Sequence, residues 1–360
     1  PEAPGEQTDK RRQRRFRIIF IVAIVAILGG VWLVRYPQGY VNMFLGHYEG
    51  TTSILTEMDG LARTQEDEEL LLPLQQQYDD WRQTHLRETL SISATADGLA
   101  LEGDFYDAGS DVTVIALHPF DGSRESDLLY VPFYAEQGYN IFIPDLRSHG
   151  ESEGYQVTWG EYESRDLVDW MDHLDSRYGG QTYILHGQDL GASAALWSAG
   201  EERVAFLVAE SPVIELYDAA RYLLREQFGI PGLLMPLIDW NARKVLPDGR
   251  SMGEFSAVEA TQGAQTPVLL LAAGADTIVD TQTVAQFAET YAGPVEYLEA
   301  AGAGHGLSPV PGGGGGSDRP LYRSILQSIS GAPILSGVSF LRLRPSLLPR
   351  VDPRFRSTGA

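Results

Sequence analysis

Asp189 stands where this chain would be expected to present a nucleophile. It is the centre of Gly187-Gln188-Asp189-Leu190-Gly191, which follows the apolar run Thr182 to Leu185 and His186 and precedes the small residues Ala192, Ser193, Ala194 and Ala195. An apolar strand that turns at once into a helix makes a nucleophile elbow. The flanking glycines are required because the backbone passes so close to its neighbours that a Cβ would clash. Most such turns carry Ser at the centre. Here a carboxylate takes that place, and the reaction depends on what it does there.

The elements that must hold this turn are legible on both sides of it. From Asp111 onward strands alternate with helices: Val112 to Leu117, a helix near Asp127 to Gln137, Ile141 to Pro144, a helix over Glu161 to Arg177, Thr182 to Leu185, a helix over Leu190 to Ser198, and Val204 to Ala209. The late strands are Pro267 to Ala272 and Val295 to Leu298, with a helix over Thr283 to Tyr291 between them. Such alternation calls for an α/β fold with a mostly parallel central sheet and helices on both faces. Ahead of it, Ser91 to Thr95 and Leu99 to Phe105 flank Asp97-Gly98, which predicts a hairpin with a two-residue primed turn. The insertion over 213–266 carries Tyr217, Tyr222, Phe228 and Trp240 and reads as a small helical lid.

Composition bounds the partners. The chain has 360 residues, 43% of them hydrophobic, no cysteine and a formal net charge of −22. Disulfides, thiolate chemistry and Cys-ligated zinc are thereby excluded. The acidic body repels nucleic acid and anionic lipid, so a nucleic-acid partner is not expected. Lys10, Arg11, Arg12, Arg14, Arg15 and Arg17 in segment 1–17 precede an uncharged apolar run from Ile18 to Val34. As a helix that run would span about 25 Å, enough for a transmembrane anchor over 18–36. The basic flank predicts a cytoplasmic N-terminus and places the catalytic domain on the periplasmic or extracellular side. A helical connecting collar is expected over 37–90 and the main domain over 91–330, interrupted by a Gly linker at 312–317; Tyr322, Ile325, Leu326 and Ile329 have helical spacing. The basic tail 331–360 reads as disordered.

Five motifs in register carry a family resemblance: Leu117-His118-Pro119-Phe120; Pro144-Asp145-Leu146-Arg147-Ser148-His149-Gly150-Glu151-Ser152; the elbow; Gly274-Ala275-Asp276-Thr277-Ile278-Val279; and Gly302-Ala303-Gly304-His305-Gly306. The stretch from about Ser91 to Ile329 resembles the α/β-hydrolase superfamily, in particular its membrane-anchored bacterial hydrolases of the serine aminopeptidase-like and lysophospholipase-like group. The resemblance implies His305 as the base and Asp276 as the carboxylate that holds its tautomer, with Glu210 the substitute acid should Asp276 point away. It implies an oxyanion hole from the backbone N–H groups of Phe120 and Leu190. Pro119 replaces the usual Gly and Ser148 a common Gly; His149 and its neighbours would support the loop below the site.

Asp189 leaves three readings open. In the superfamily's haloalkane dehalogenases and epoxide hydrolases a carboxylate forms an alkyl ester that a His-activated water cleaves, and Asp189-His305-Asp276 fits that scheme. Those enzymes also use a Trp beside the nucleophile, where this chain has Leu190, or cap tyrosines, for which Tyr217 and Tyr222 are the candidates. Alternatively the chain is a catalytically impaired serine-hydrolase-like protein that binds or scaffolds, or Asp189 acts as a general base. The substrate expected in the enzymatic readings is a small apolar or acyl/ester-type molecule. The scattered histidines and the absence of a phosphate loop predict neither metal nor cofactor. Two carboxylates beside one imidazole predict a His305 that titrates high.

Overall fold

The computed structural model describes residues 39–42, 44–45, 65–300 and 303–307. Eight strands form one sheet: Glu88–Ser93 (β1), Ala100–Tyr106 (β2), Val112–Leu117 (β3), Asn140–Pro144 (β4), Thr182–Gln188 (β5), Val204–Glu210 (β6), Val268–Ala273 (β7) and Val295–Ala300 (β8). Their spatial order is β1-β2-β4-β3-β5-β6-β7-β8. The pairs β1/β2 and β2/β4 are antiparallel, and every pair from β4/β3 to β7/β8 is parallel.

Why the sequence gives this sheet is clearest at its centre. β3 and β7 are buried at every position, as expected of parallel strands covered on both faces. Alternate side chains of β3 enter opposite cores: Ile115 and Leu117 join the one with Phe142, Trp170 and Leu185, while Val114 and Ala116 join the one with Tyr130, Ile184 and Phe206. The edge strand β1 instead alternates, with Leu90 buried and both neighbours exposed.

Helices Gln65–Thr84 (α1), Val131–Glu136 (α2), Glu161–Tyr178 (α3), Leu190–Trp197 (α4) and Thr281–Thr290 (α8) accompany the sheet; Leu216–Phe228 (α5), Met235–Ala242 (α6) and Ala257–Ala260 (α7) lie in the insertion expected as a lid. The small residues of α4 have a packing reason. Leu190 to Leu196 are all buried, because this helix sits between β5, β6 and α3. α2 begins at Val131 rather than near Asp127, with Pro132 in its first turn, where the missing N–H costs nothing.

Two findings depart from the sequence expectations. The β1–β2 hairpin forms, but not through a two-residue turn: Ser93 pairs with Ala100, and Ala94 N donates to Leu99 O at 2.8 Å. Residues 95–98 make the loop, Gly98 takes a φ of 81°, and Asp97 is drawn away into an ion pair with Arg147 at 2.9 Å. In addition, the helical residues 39–42 and 44–45 bury Val41, Phe44 and Leu45 in the main core. Tyr40 packs edge-on to Phe228 at the end of α5 (5.4 Å), Trp159 Nε1 donates to Phe44 O at 3.0 Å, and Val157 N donates to Leu45 O at 3.3 Å. No helix among the described residues is long and apolar enough to cross a membrane. The apolar segment 18–36, the Gly linker 312–317, the helical spacing at 322–329 and the tail 331–360 lie outside the described residues.

Candidate active site

The elbow forms at the carboxyl end of β5. Asp189 has φ 50° and ψ −107°, a backbone conformation that L residues rarely adopt and that persists only where the surroundings enforce it. Close approach on both sides supplies the enforcement. A Cβ on Gly187 would lie 2.2 Å from the carbonyl of Gly191, and one on Gly191 would lie 2.5 Å from Leu117 O.

His305 and Asp276 reach the elbow from separate loops. Asp276 follows β7, and its Oδ1 accepts from Ile278 N and Val279 N, each at 2.8 Å. Its other oxygen, Oδ2, is 2.9 Å from His305 Nδ1, so that ring nitrogen donates and Nε2 is turned to the elbow. There it lies 3.3 Å from Asp189 Oδ1. Tyr222 of α5 donates to the backbone carbonyl of Asp276 at 2.9 Å, which ties the acid's loop to the lid. Of the two tyrosine hydroxyls considered for protonating a substrate oxygen, that of Tyr222 is thus engaged in positioning Asp276.

The two oxygens of Asp189 are inequivalent. Oδ2 accepts from Phe120 N at 3.0 Å, whereas Oδ1 is buried and has no hydrogen-bond partner among the described residues. The N–H group expected in an oxyanion hole therefore holds one of the carboxylate's own oxygens. Leu190 is the first residue of α4, where backbone N–H groups have no intrahelical acceptor. Pro119 does not disturb this arrangement: Leu146 N donates to His118 Nε2 at 3.0 Å, so His118 Nδ1 carries the proton and donates to Pro119 O at 2.7 Å. Burial, reinforced by nearby His149, pushes the His118 pKa down to about 3, which keeps that donor–acceptor pattern neutral. His149 Nε2 lies 2.6 Å from Phe120 O, and Ser148, standing for the common Gly, takes φ 66°. Both support the loop below the site.

Burial works against the His305 cation, but the charge of Asp276, its hydrogen bond and the charge of Asp189 outweigh it and hold the pKa well above the ordinary 6.5. A resting cation between two carboxylates follows. Asp276 faces His305, so the condition under which Glu210 would substitute for it is not met, and Glu210 is engaged elsewhere. Its Oε1 is 2.7 Å from His186 Nε2 and its Oε2 accepts from Gln188 Nε2 at 3.0 Å. The hydroxyl of Ser193, one turn beyond the elbow, donates to Asp189 O and accepts from Val213 N. It is a structural bridge.

Sequence reasoning missed Trp159, whose ring stacks on Phe120 at 5.3 Å. The only available signal was an aromatic residue in a loop with a Gly after it. Trp159 has φ 52°, so backbone strain there accompanies support of the donor loop. Among the described residues no three His, Asp or Glu side chains group as a metal site.

Comparison with known proteins places this geometry. The uncharacterized protein YqkD of Bacillus subtilis (strain 168) is 26% identical over 249 residues, 67% of this chain and 79% of YqkD. A thermostable monoacylglycerol lipase of Bacillus sp. (strain H-257) is 27% identical over 100 residues, 26% of this chain and 38% of the lipase. The esterase Pf2001 of Pyrococcus furiosus is similar in structure with a TM-score of 0.51 and 26% identity, covering 62% of this chain and 86% of that one. The profile of the alpha/beta hydrolase family matches residues 114–312, a span that runs from β3 through the elbow and the acid loop to His305. With the sheet order, the elbow and the family profile in agreement, the chain belongs to the alpha/beta hydrolase family.

Proposed function

We propose that the chain is a hydrolase in which Asp189 is the covalent nucleophile toward a small apolar substrate with an electrophilic sp³ carbon, such as an alkyl halide or a strained cyclic ether. The observation that carries this reading is the inequivalence of the two Asp189 oxygens. Oδ2 is held by Phe120 N, while Oδ1 accepts from no backbone or neutral donor among the described residues and faces the His305 imidazolium at 3.3 Å. A carboxylate attacking an acyl carbonyl would give only a mixed anhydride, with no Ser–His proton transfer, so the esterase and lipase names of similar proteins support the fold's hydrolytic setting rather than acyl transfer here.

In the first step Oδ1 forms a bond to carbon as the carbon–halogen bond breaks and halide departs with the electron pair, or as the ring C–O bond breaks and the ring oxygen keeps the pair and takes a proton from solvent. Asp189 becomes a neutral ester, and one of the two charges that raise the His305 pKa disappears. His305 then loses its proton to solvent more readily, and Nε2 becomes the base. It takes a proton from water, whose oxygen bonds to Asp189 Cγ; the negative charge that develops on Oδ2 lies against Phe120 N. Collapse expels the alcohol carrying the former Oδ1, which receives the proton from His305, and Asp189 retains the oxygen from water.

The test is a single turnover in heavy-oxygen water with a haloalkane or an epoxide, followed by mass spectrometry. Heavy oxygen is expected in the peptide containing Asp189, and the oxygen newly bonded to carbon in the first product should be light. Heavy oxygen in that product with an unlabelled peptide would instead identify Asp189 as a general base. If no product forms and Asp189→Ser gains p-nitrophenyl ester hydrolysis, the chain is an impaired serine-hydrolase-like binding protein.

We also propose that the uncharged run Ile18 to Val34, preceded by six Lys and Arg residues between Lys10 and Arg17, anchors the domain to the outer face of a membrane. Flotation of the full chain with lipid vesicles tests this separately.

A further inference from the structure

Six large apolar side chains are exposed among the described residues, and two of them belong to one short lid segment. Leu233 is 78% and Trp240 51% exposed, with Pro231, Gly232 and Pro236 exposed between or beside them. Burying such side chains against an apolar phase is favourable in proportion to the apolar area removed from water. The charge of this segment also differs from the rest. Over residues 229–246 the acidic side chain is Asp239, which is buried and ion-paired to Arg243 at 3.2 Å; Arg243 and Lys244 are exposed, and Lys244 Nζ lies 3.7 Å over the Trp240 ring. On a chain of net charge −22, this is an apolar tip with a basic rim.

The same face holds the polypeptide that leads back to the apolar N-terminal run. Tyr40 contacts Phe228, just before the tip. Leu45 O accepts from Val157 N, and Gln156 Nε2 donates to Val245 O, just after the tip. Tyr155, next in the chain, is 70% exposed. Residues 35–38 alone separate Val34 from Gly39, so Gly39 stays within roughly 17 Å of the end of the apolar run. A body of ~240 residues is roughly 45 Å across, so so short a tether does not let the opposite face meet the bilayer.

We infer that the lid tip, with Leu233 and Trp240 inserted and Tyr155, Arg243 and Lys244 at headgroup level, docks on the surface of the lipid bilayer that holds the chain's own N-terminal run. Trp and Tyr at such an interface place an apolar body in the acyl region and a polar edge in the headgroups. Substrates would then enter under the lid from the membrane rather than from water. This inference rests on the anchoring reading above and is independent of what Asp189 does.

The absence of cysteine makes the test clean. Single variants Leu233→Cys, Trp240→Cys and Leu86→Cys of the full chain, each carrying one environment-sensitive fluorophore, are reconstituted in phosphatidylcholine vesicles containing phosphatidylglycerol and a spin-labelled lipid quencher. Leu86 is 94% exposed and lies just before β1, outside the lid. The labels at 233 and 240 should be quenched at least threefold more than the label at 86 and should shift to the blue. Chains that float with the vesicles but show equal quenching at all three sites overturn the docking alone. Chains that fail to float overturn the anchor and the docking together. A second readout uses Leu233→Glu with Trp240→Glu. Quenching of a label placed at Tyr155 should fall at least twofold, whereas an unchanged value overturns the assignment of these side chains.

Discussion

Two histidine–carboxylate pairs lie at the ends of strands in this sheet, and they differ in what is left over. At the end of β5, His186 Nε2 is 2.7 Å from Glu210 Oε1, its Nδ1 is 3.1 Å from Tyr134 Oη, and Tyr130 stacks on the ring at 3.5 Å. Both ring nitrogens are engaged and neither side chain is exposed beyond 1%. His305 pairs with Asp276 through Nδ1 alone, and its Nε2 faces an Asp189 oxygen that has no hydrogen bond among the described residues. The lesson is that a pair is left open to chemistry when one ring nitrogen is fixed and the other is not. The closed pair instead fastens β5 to β6 directly beneath the elbow, where Asp189 N donates to Glu210 O at 2.8 Å.

The largest expected effect breaks the open pair. His305→Gln should leave alkylation of Asp189 possible and slow release of the ester on the order of 10³-fold, as loss of a general base does. Intact-mass measurement should then find the alkyl adduct accumulating on Asp189, with an initial burst of leaving group. Turnover within tenfold of the parent chain would remove His305 from the mechanism.

Breaking the closed pair should act on the fold instead. Glu210→Ala leaves the buried His186 Nε2 without its hydrogen-bond partner, and such a loss costs about 1–3 kcal/mol of stability. Denaturant unfolding should show it, while turnover per folded molecule changes less than tenfold. A variant that kept its stability but lost all turnover would reverse the roles assigned to the two pairs.

The contrast also has a pH signature. The folded pKa of His305 lies above its ordinary 6.5, so the native state binds more protons than the unfolded chain between the two values. The stabilisation is fully present below about pH 6.5 and is lost as pH rises through the folded value. Asp276→Asn removes the larger of the charges that raise this pKa. Unfolding free energies measured from pH 5.5 to 9 should fall less steeply in that variant than in the parent, and parallel curves would show that the coupling contributes nothing to stability.

Much of this was legible in the chain because local and global constraints agree. β3, β5, β6 and β7 read as strands from apolar runs bounded by turns, and the elbow read from its glycines. The β1–β2 turn did not, because Asp97 has a stronger partner in Arg147 than a primed turn supplies, and the loop lengthens to reach it. Pairing at the site was only half legible. The order Asp189, Asp276, His305 pointed to one constellation, but nothing in the spacing showed that Glu210 is committed to His186 on the adjacent strand, since that contact is made across register. The burial of Phe44 and Leu45 was hidden for a related reason: Val41, Phe44 and Leu45 have helical spacing, but the residues that receive this segment, Trp159 and Phe228 among them, lie far along the chain.

The last effect concerns strain. Asp189 and Ser211 follow directly on the paired residues Gln188 and Glu210, and both have positive φ, 50° and 49°. At Asp189 the strained backbone carries the carboxylate into contact with Phe120 N and His305. Ser211 makes no such return. Its hydroxyl is buried without a hydrogen-bond partner among the described residues, an arrangement that costs about 1–3 kcal/mol, with about 1 kcal/mol more for the backbone. Ser211→Gly removes both penalties and adds roughly 0.5–1 kcal/mol of chain entropy lost on folding. Net stabilisation of about 1–3.5 kcal/mol is expected, seen as a rise in Tm of roughly 2–14 °C. If turnover stays at the parent level, the strain at Ser211 is only a by-product of packing next to the elbow. If Tm rises and turnover falls more than tenfold, the free hydroxyl belongs to the reaction, and the open constellation extends from β5 onto β6.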